Sequence, residues 1–207
     1  AAFKSTGEKV FFTDVEELDI TDIKSVRTFV SENDIGAIIN CAAFTAVDRA
    51  EEQEELANLI NNGAVENLAV VAKEFDCKFV HISTDYVFNG TNNLPYDEDY
   101  CTAPIGVYGK TKLAGENAVI RSGCKYVIIR TSWLYSTFGN NFVKTIIRNA
   151  KAKGELKVIA DQIGTPTNAH DLALAIIEVL RYEGWYDGIY HYSNEGVCSW
   201  FDFAKAI

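Results

Sequence analysis

The stretch KFVHISTDYVFNG, residues 78–90, is apolar from Phe79, closes in Ser83, Thr84, Asp85 and Tyr86, and turns at Asn89-Gly90. It reads as a buried strand whose carboxyl end meets something polar. Runs of similar character stand at KVFFTD (9–14), AIINCAA (37–43), YVIIRTSW (126–133), LKVIAD (156–161) and GIYHYS (188–193). Helix-like amphipathic segments lie between them, near 22–33, 51–75, 108–121, 140–153, 169–182 and from 199 onward. This alternation predicts βαβ units stacked into a doubly wound parallel sheet, an α/β fold.

In open α/β sheets a ligand sits off the carboxyl ends of the strands, where loops and helix N-termini meet. Asp14, the turn Cys41-Ala42-Ala43-Phe44-Thr45, Ser83-Thr84-Asp85 and Thr131-Ser132-Trp133 all fall at such ends. Any one of them reads as an ordinary cap or turn. Four converging on one side predict a crevice.

Composition narrows the function. A chain of 207 residues, 48% hydrophobic and 23% charged, can bury a core of its own, and no repeat or long linker divides it. Its net charge of −10 argues against a nucleic-acid or anionic-membrane surface, because phosphate binding draws on clustered Lys and Arg. The apolar runs fall short of the ~18 residues of a membrane span, and no charged-then-apolar leader opens the chain. The expectation is a cytoplasmic protein. Cys41, Cys77, Cys101, Cys124 and Cys198 are too scattered for a disulfide framework or a CxxC metal site, and His81, His170 and His191 are equally dispersed. The chain has no Met, and AAFKSTGEKV and WFDFAKAI each read as helix interrupted mid-course, so a fragment is expected at both ends.

The chemistry is carried by VYGKTKLAGE, 107–116, where Tyr108 and Lys112 stand four apart at the start of a predicted helix and so share a face. A phenol of pKa near 10 is a weak acid or base at neutrality, and a neighbouring ammonium is expected to lower that value. A hydroxyl from Thr84 or Ser83 can bond the same reacting oxygen. With ten tyrosines in the chain, the spacing alone is weak; its setting after STDYVF, with Asp14 ending an early strand, strengthens it. An Asp in that position commonly takes the adenosine ribose of a dinucleotide.

The segments NCAAFTAVDRAE, HISTDYVFNG, VYGKTKLAGE, RTSWLYSTFGNNFVKTIIR and DQIGTPT, in this order and spacing, closely resemble the dTDP-4-dehydrorhamnose reductases, a family of extended short-chain dehydrogenase/reductases. The likeness covers nearly the whole chain. It implies a Rossmann-type domain over 1–135, lacking its first strand, and an incomplete substrate-binding lobe over 136–207, interleaved with that core. It implies NADPH- or NADH-dependent reduction of the 4-keto group of dTDP-6-deoxy-L-lyxo-4-hexulose to dTDP-L-rhamnose, a dTDP-sugar partner, and allows a homodimer. Carried over by residue, Tyr108, Lys112 and Thr84 are catalytic, and Thr84, Asp85 and Trp133 meet substrate. Asp14, Asp19, Ile20, Ala42, Ala43, Phe44, Thr45 and Ser83 line the cofactor with Tyr108 and Lys112. Trp133 is expected to offer a flat face to the sugar.

The chain departs from the family in two places. The G-x-x-G-x-x-G turn is absent, Gly7 being the only glycine before Gly36. Where some members carry a magnesium-binding acid after GTPT, this chain has NAHD, so no metal ligand is expected; Asp171 reads as a helix N-terminal acid. Asn140, Asn141, Arg148, Gln162 and Thr165 are candidates for the substrate lobe. Two other readings share the fold: a non-catalytic regulatory subunit of the methionine adenosyltransferase type, against which Thr84, Tyr108 and Lys112 together speak, and a reductase or epimerase for another nucleotide-sugar.

Overall fold

The computed structural model describes residues 2–5 and 7–207. Ala1 and Thr6, within the N-terminal stretch read as helix, lie outside the described residues; Ala2–Ser5 forms a 3-10 turn. In chain order follow α1 (Ile23–Asn33), β1 (Ala37–Asn40), α2 (Val47–Glu52), α3 (Glu54–Asn58), a π turn (Leu59–Gly63), α4 (Ala64–Glu74) and β2 (Lys78–Thr84). A 3-10 turn (Asp85–Val87), α5 (Val107–Ser122), β3 (Lys125–Thr131), β4 (Leu134–Tyr135) and α6 (Phe142–Lys153) come next. The chain closes with β5 (Ile163–Gly164), β6 (Thr167–Asn168), α7 (Ala169–Arg181), β7 (Gly188–His191), β8 (Cys198–Ser199) and α8 (Trp200–Ala206).

These elements form two units. The sheet unit takes residues Lys9–Arg130 and Leu180–His191; the other takes the segment ending at Glu8, Thr131–Val179 and Tyr192–Ile207. In the sheet unit the strand order is β1-β2-β3-β7, with β1–β2 and β3–β7 pairing in parallel, as the alternation predicts. Its core joins Val26 and Val30 of α1, Leu68, Val71 and Ala72 of α4, Val119 of α5, Phe79 of β2 and Ile128 of β3, all at most 4% exposed. Burial of such side chains supplies the main driving force for the fold.

Two predicted strands are not formed. KVFFTD pairs with no other strand and leaves Phe12 65% exposed, while in LKVIAD Ile159 is 51% exposed. A β-rich run without a hydrogen-bonding neighbour and a covered face remains extended chain. The helix expected over 51–75 is broken into the end of α2, α3, the π turn and α4. The reason lies in Asn61, fully buried within the π turn, whose side chain bonds main-chain atoms of Phe44 and the Thr111 hydroxyl. Such bulges gather at functional sites.

Helix α5 packs so closely on that turn that a Cβ at Gly115 would lie 2.1 Å from the Asn61 carbonyl oxygen. Gly115→Ala is therefore expected to lose about 1–3 kcal/mol by overpacking, read from urea denaturation. An unchanged midpoint would mean that the contact yields without cost.

In the second unit β4 pairs with β6 in parallel and β5 with β8 antiparallel. Asn141 caps α6 by accepting from the Lys144 N–H, and Ser199 with Asp202 closes a capping box on α8. Among the described residues no helix is long and apolar enough to cross a membrane, and no three His, Cys, Asp or Glu gather as a metal site.

Candidate active site

Tyr108, Lys112 and Glu116 follow one another at four-residue steps on one face of α5, and that face meets the carboxyl end of β2. Three consecutive strand residues are tied to it. Lys112 Nζ donates to the Ile82 carbonyl at 2.7 Å, the Ser83 hydroxyl donates to Glu116, and the Thr84 side chain acts on the Tyr108 phenol by opposing the rise of its pKa. Thr84 Oγ1 also donates to Asp85 Oδ1 at 3.1 Å and accepts from the Tyr86 N–H at 3.2 Å. Tyr86 packs edge-on against Tyr108, centroids 5.4 Å apart. The end of this strand is tied to α5 through the Ile82 carbonyl and the Ser83 hydroxyl, while the Asp85 carboxylate accepts from Thr84.

Behind this row lies a buried ion pair that the sequence reading missed. Arg130 of β3 donates through Nε to Glu116 Oε1 at 3.0 Å and through Nη2 to Oε2 at 2.7 Å, with Arg130 5% and Glu116 1% exposed. Its signal was the lone cation inside the apolar run YVIIRTSW. Fork-to-fork geometry of this kind is the strongest form of the pair.

Burial governs the titration of the row. It pushes Tyr108 up to about 12, with Asp85 and Tyr86 adding to the effect and Thr84 opposing it. Burial raises Asp85 to about 6 against its bonds from Thr84 and Tyr86. Lys112, 2% exposed, is lowered by burial to about 8, with Glu116 holding it up. The expected lowering of Tyr108 by Lys112 is thus not found: the ammonium is bonded to the Ile82 carbonyl, and desolvation dominates at the phenol. Tyr108 is a neutral phenol at pH 7, the form in which it can give a proton.

The turn after β1 is fixed beside α5. Asn40 Oδ1 accepts from the Ala42 N–H at 3.1 Å, and Asn61 holds both main-chain polar groups of Phe44 while bonding Thr111 of α5. Phe44 and Tyr108 pack on the same small core of Ala50, Ala57 and Val107. Ala42 and Thr45 remain exposed and Ala43 half-buried, leaving the turn's outer surface open. Asn40 and Asn61 are thus positioning residues that sequence reasoning did not single out.

The remaining candidates are dispersed. Asp14 is exposed in a turn, its carboxylate accepting from the Val15 N–H. Asp19 accepts from both the N–H and the hydroxyl of Thr21, and the Ile20 carbonyl accepts from Asn67 of α4. Trp133, in the second unit, stacks on Trp200. Asn141 is spent on capping α6, Asn140, Arg148 and Gln162 are exposed, and the Thr165 carbonyl accepts from the Ser132 hydroxyl. His170 is exposed, and Asp171 stands in the first turn of α7, where it accepts from Asn194.

The family model of the RmlD substrate binding domain matches residues 1–207. The chain belongs to the RmlD family. A dTDP-4-dehydrorhamnose reductase from Salmonella typhimurium is 44% identical over 192 residues, covering 91% of this chain and 64% of its own. The spore coat polysaccharide biosynthesis protein SpsK of Bacillus subtilis is 42% identical over 204 residues, 99% of this chain and 71% of that one. Among solved structures, the dTDP-4-dehydrorhamnose reductase of Bacillus anthracis in complex with NADP superposes with a TM-score of 0.92 at 47% identity, over 95% of this chain and 70% of that one. The chain spans between 58% and 71% of the length of such curated RmlD-family relatives.

Proposed function

We propose that this chain is the reacting core of an NAD(P)H-dependent ketoreductase that turns the 4-keto group of dTDP-6-deoxy-L-lyxo-4-hexulose into the hydroxyl of dTDP-L-rhamnose. The observation that carries this reading is that Tyr108 and Lys112, on one face of α5, meet the tip of the strand that ends in Thr84, Lys112 bonding the Ile82 carbonyl and Tyr108 packing on Tyr86. Reduction of a ketone leaves negative charge on oxygen, and a neutral phenol beside a hydroxyl and an ammonium is suited to receive it. Tyr108 gives its proton to that oxygen, Thr84 bonds the same oxygen, and Lys112 supplies positive charge.

The residues fit a nicotinamide dinucleotide. Lys112 Nζ has three N–H donors and spends one on Ile82, so two are left for ribose hydroxyls. The open turn Ala42-Ala43-Phe44-Thr45 can face the dinucleotide backbone, Asp14 its adenosine ribose, and Asp19, Ile20 and Ser83 the flanking groups. When bound, the nicotinamide supplies the hydrogen and two electrons that the keto carbon gains. Asp14 favours a free ribose 2′-hydroxyl, hence NADH, whereas the Bacillus anthracis relative holds NADP. Substrate contacts fall to Thr84, Asp85 and Trp133, and the reaction belongs in the cytoplasm.

The pKa values define a pH window. Asp85 is charged above about 6 and Lys112 below about 8, while Tyr108 stays protonated throughout. The expected kcat/KM profile is a bell falling below pH 6 and above pH 8, with Asp85→Asn removing the acid limb; a flat profile across that range contradicts the roles given to both groups.

The reading itself is tested by product analysis. Incubated with NAD(P)H and a panel of dTDP-4-keto sugars, the purified protein is expected to yield a product of L-rhamno configuration from the 6-deoxy-L-lyxo substrate. Consumption of none of them, or reduction only of a different keto-sugar, contradicts it.

A further inference from the structure

Trp133 stands at φ 47°, a left-handed conformation that a bulky residue adopts only where its surroundings over-determine it. Those surroundings are two walls. On one side the indole stacks on Trp200 at the start of α8, centroids 3.6 Å apart and planes 10° from parallel. Phe142 of α6 backs Trp200 at 4.4 Å, and Phe203 backs Phe142 at 5.4 Å. On the other side is Gly164 of β5, where a Cβ would come within 2.4–2.7 Å of Cε2, Cζ2 and Nε1 of Trp133. So small a centroid separation places Trp200 over those same ring atoms. Gly164 must therefore cover the opposite face.

The walls have a common frame. Strand β5 pairs antiparallel with β8, Ile163 opposite Ser199 and Gly164 opposite Cys198, and Trp200 follows directly. One short ladder thus sets the width of the slot. The Thr167 N–H donates to the Trp133 carbonyl at 3.3 Å, holding the base of the residue. With both faces taken, the flat surface expected from the sequence is not what the indole offers. Its edge remains, and that edge carries the Nε1–H.

We propose that Trp200 and Gly164 are positioning residues for the nucleotide-sugar, acting through Trp133: they clamp its indole so that it meets the sugar by its edge and Nε1–H instead of by face stacking. The proposal rests on the ketoreductase reading for the identity of the ligand. Tyr108, Lys112 and Thr84 take no part in the clamp, so its loss raises KM while kcat holds. Gly164 cannot be replaced without moving the ring, and Trp200 can be replaced only by another flat ring.

Two measurements on the purified protein test this. Stacked indoles give an exciton couplet in circular dichroism, expected in the wild type and in Trp185→Phe, and lost in Trp200→Phe, Trp133→Phe and Gly164→Ala. Calorimetric titration with dTDP-L-rhamnose is expected to show Trp200→Phe within about threefold of wild type, since a ring still fills the wall. Trp200→Ala, Gly164→Ala and Trp133→Phe are expected to bind about tenfold more weakly, the last because it keeps a ring but loses one donor. Absence of the couplet in the wild type overturns the proposal. So does wild-type affinity in Trp200→Ala, or in Trp133→Phe where Trp133→Ala fails. A wild-type protein with an intact couplet that neither binds nor reduces any dTDP-sugar overturns instead the ketoreductase reading, and the ligand assignment with it.

Discussion

Replacing Tyr108 with Phe is expected to lower kcat by about 10²–10⁴-fold, the usual worth of a positioned general acid. The fold should tolerate the change. The ring keeps its edge-to-face contact with Tyr86 and its packing beside Phe44, and Thr84 keeps Asp85 and the Tyr86 N–H as partners when the phenol is gone. Thermal unfolding and nucleotide-sugar affinity should therefore stay near wild type, so that the loss lies in kcat. This separation matters because Tyr108 is raised to about 12: in the proposed reaction it gives a proton it already holds, and no shift of pH within the stable range can replace the missing group. Wild-type kcat in Tyr108→Phe would remove the phenol from the reaction.

Glu116→Leu is expected to destabilise the protein by about 3–5 kcal/mol, because it strands the Arg130 guanidinium in the core without a counter-charge. Ser83 loses its acceptor in the same step. Replacing the whole network at once, with Glu116→Leu, Arg130→Met and Ser83→Ala, should recover most of that loss, since two ions that are never desolvated need no pairing. Urea denaturation of both variants checks this. A loss below about 1 kcal/mol in Glu116→Leu, or a triple variant no more stable than the single one, would show that the pair is not the tie between α5 and β3. Glu116 also holds Lys112 toward its charged form, so any activity left in Glu116→Gln should fall off at lower pH on the alkaline side than in the wild type.

The alternation of apolar runs and amphipathic stretches was enough for the parallel sheet, because β1, β2, β3 and β7 pair with one another within the described chain. It was not enough for 9–14 and 156–161, where β-rich composition found no ladder partner; a strand is a property of two segments, and sequence shows one at a time. The trio proposed to react could be named from spacing because Tyr108 and Lys112 lie on one helix and Thr84 ends a recognisable strand. Glu116 and Arg130 were hidden because their partnership crosses from helix to strand. Asn61 was hidden because nothing in its neighbourhood announces a π turn. The clash with expectation at Trp133 has a similar origin: an aromatic before a polar loop says nothing of a second tryptophan sixty-seven residues on, nor of a glycine between them that leaves room for the ring. The sign of the Tyr108 shift was missed because a neighbouring Lys was weighed and the desolvation around it was not.

The most direct test follows nicotinamide absorbance after dTDP-6-deoxy-L-lyxo-4-hexulose is mixed with the purified protein and NADPH or NADH, in wild type and Tyr108→Phe side by side. The expected result is one nicotinamide oxidised per keto-sugar by the wild type, and almost none by Tyr108→Phe although both ligands still bind. No oxidation by the wild type, or equal rates in the two proteins, would contradict the assignment of this site as a ketoreductase centre built on Tyr108.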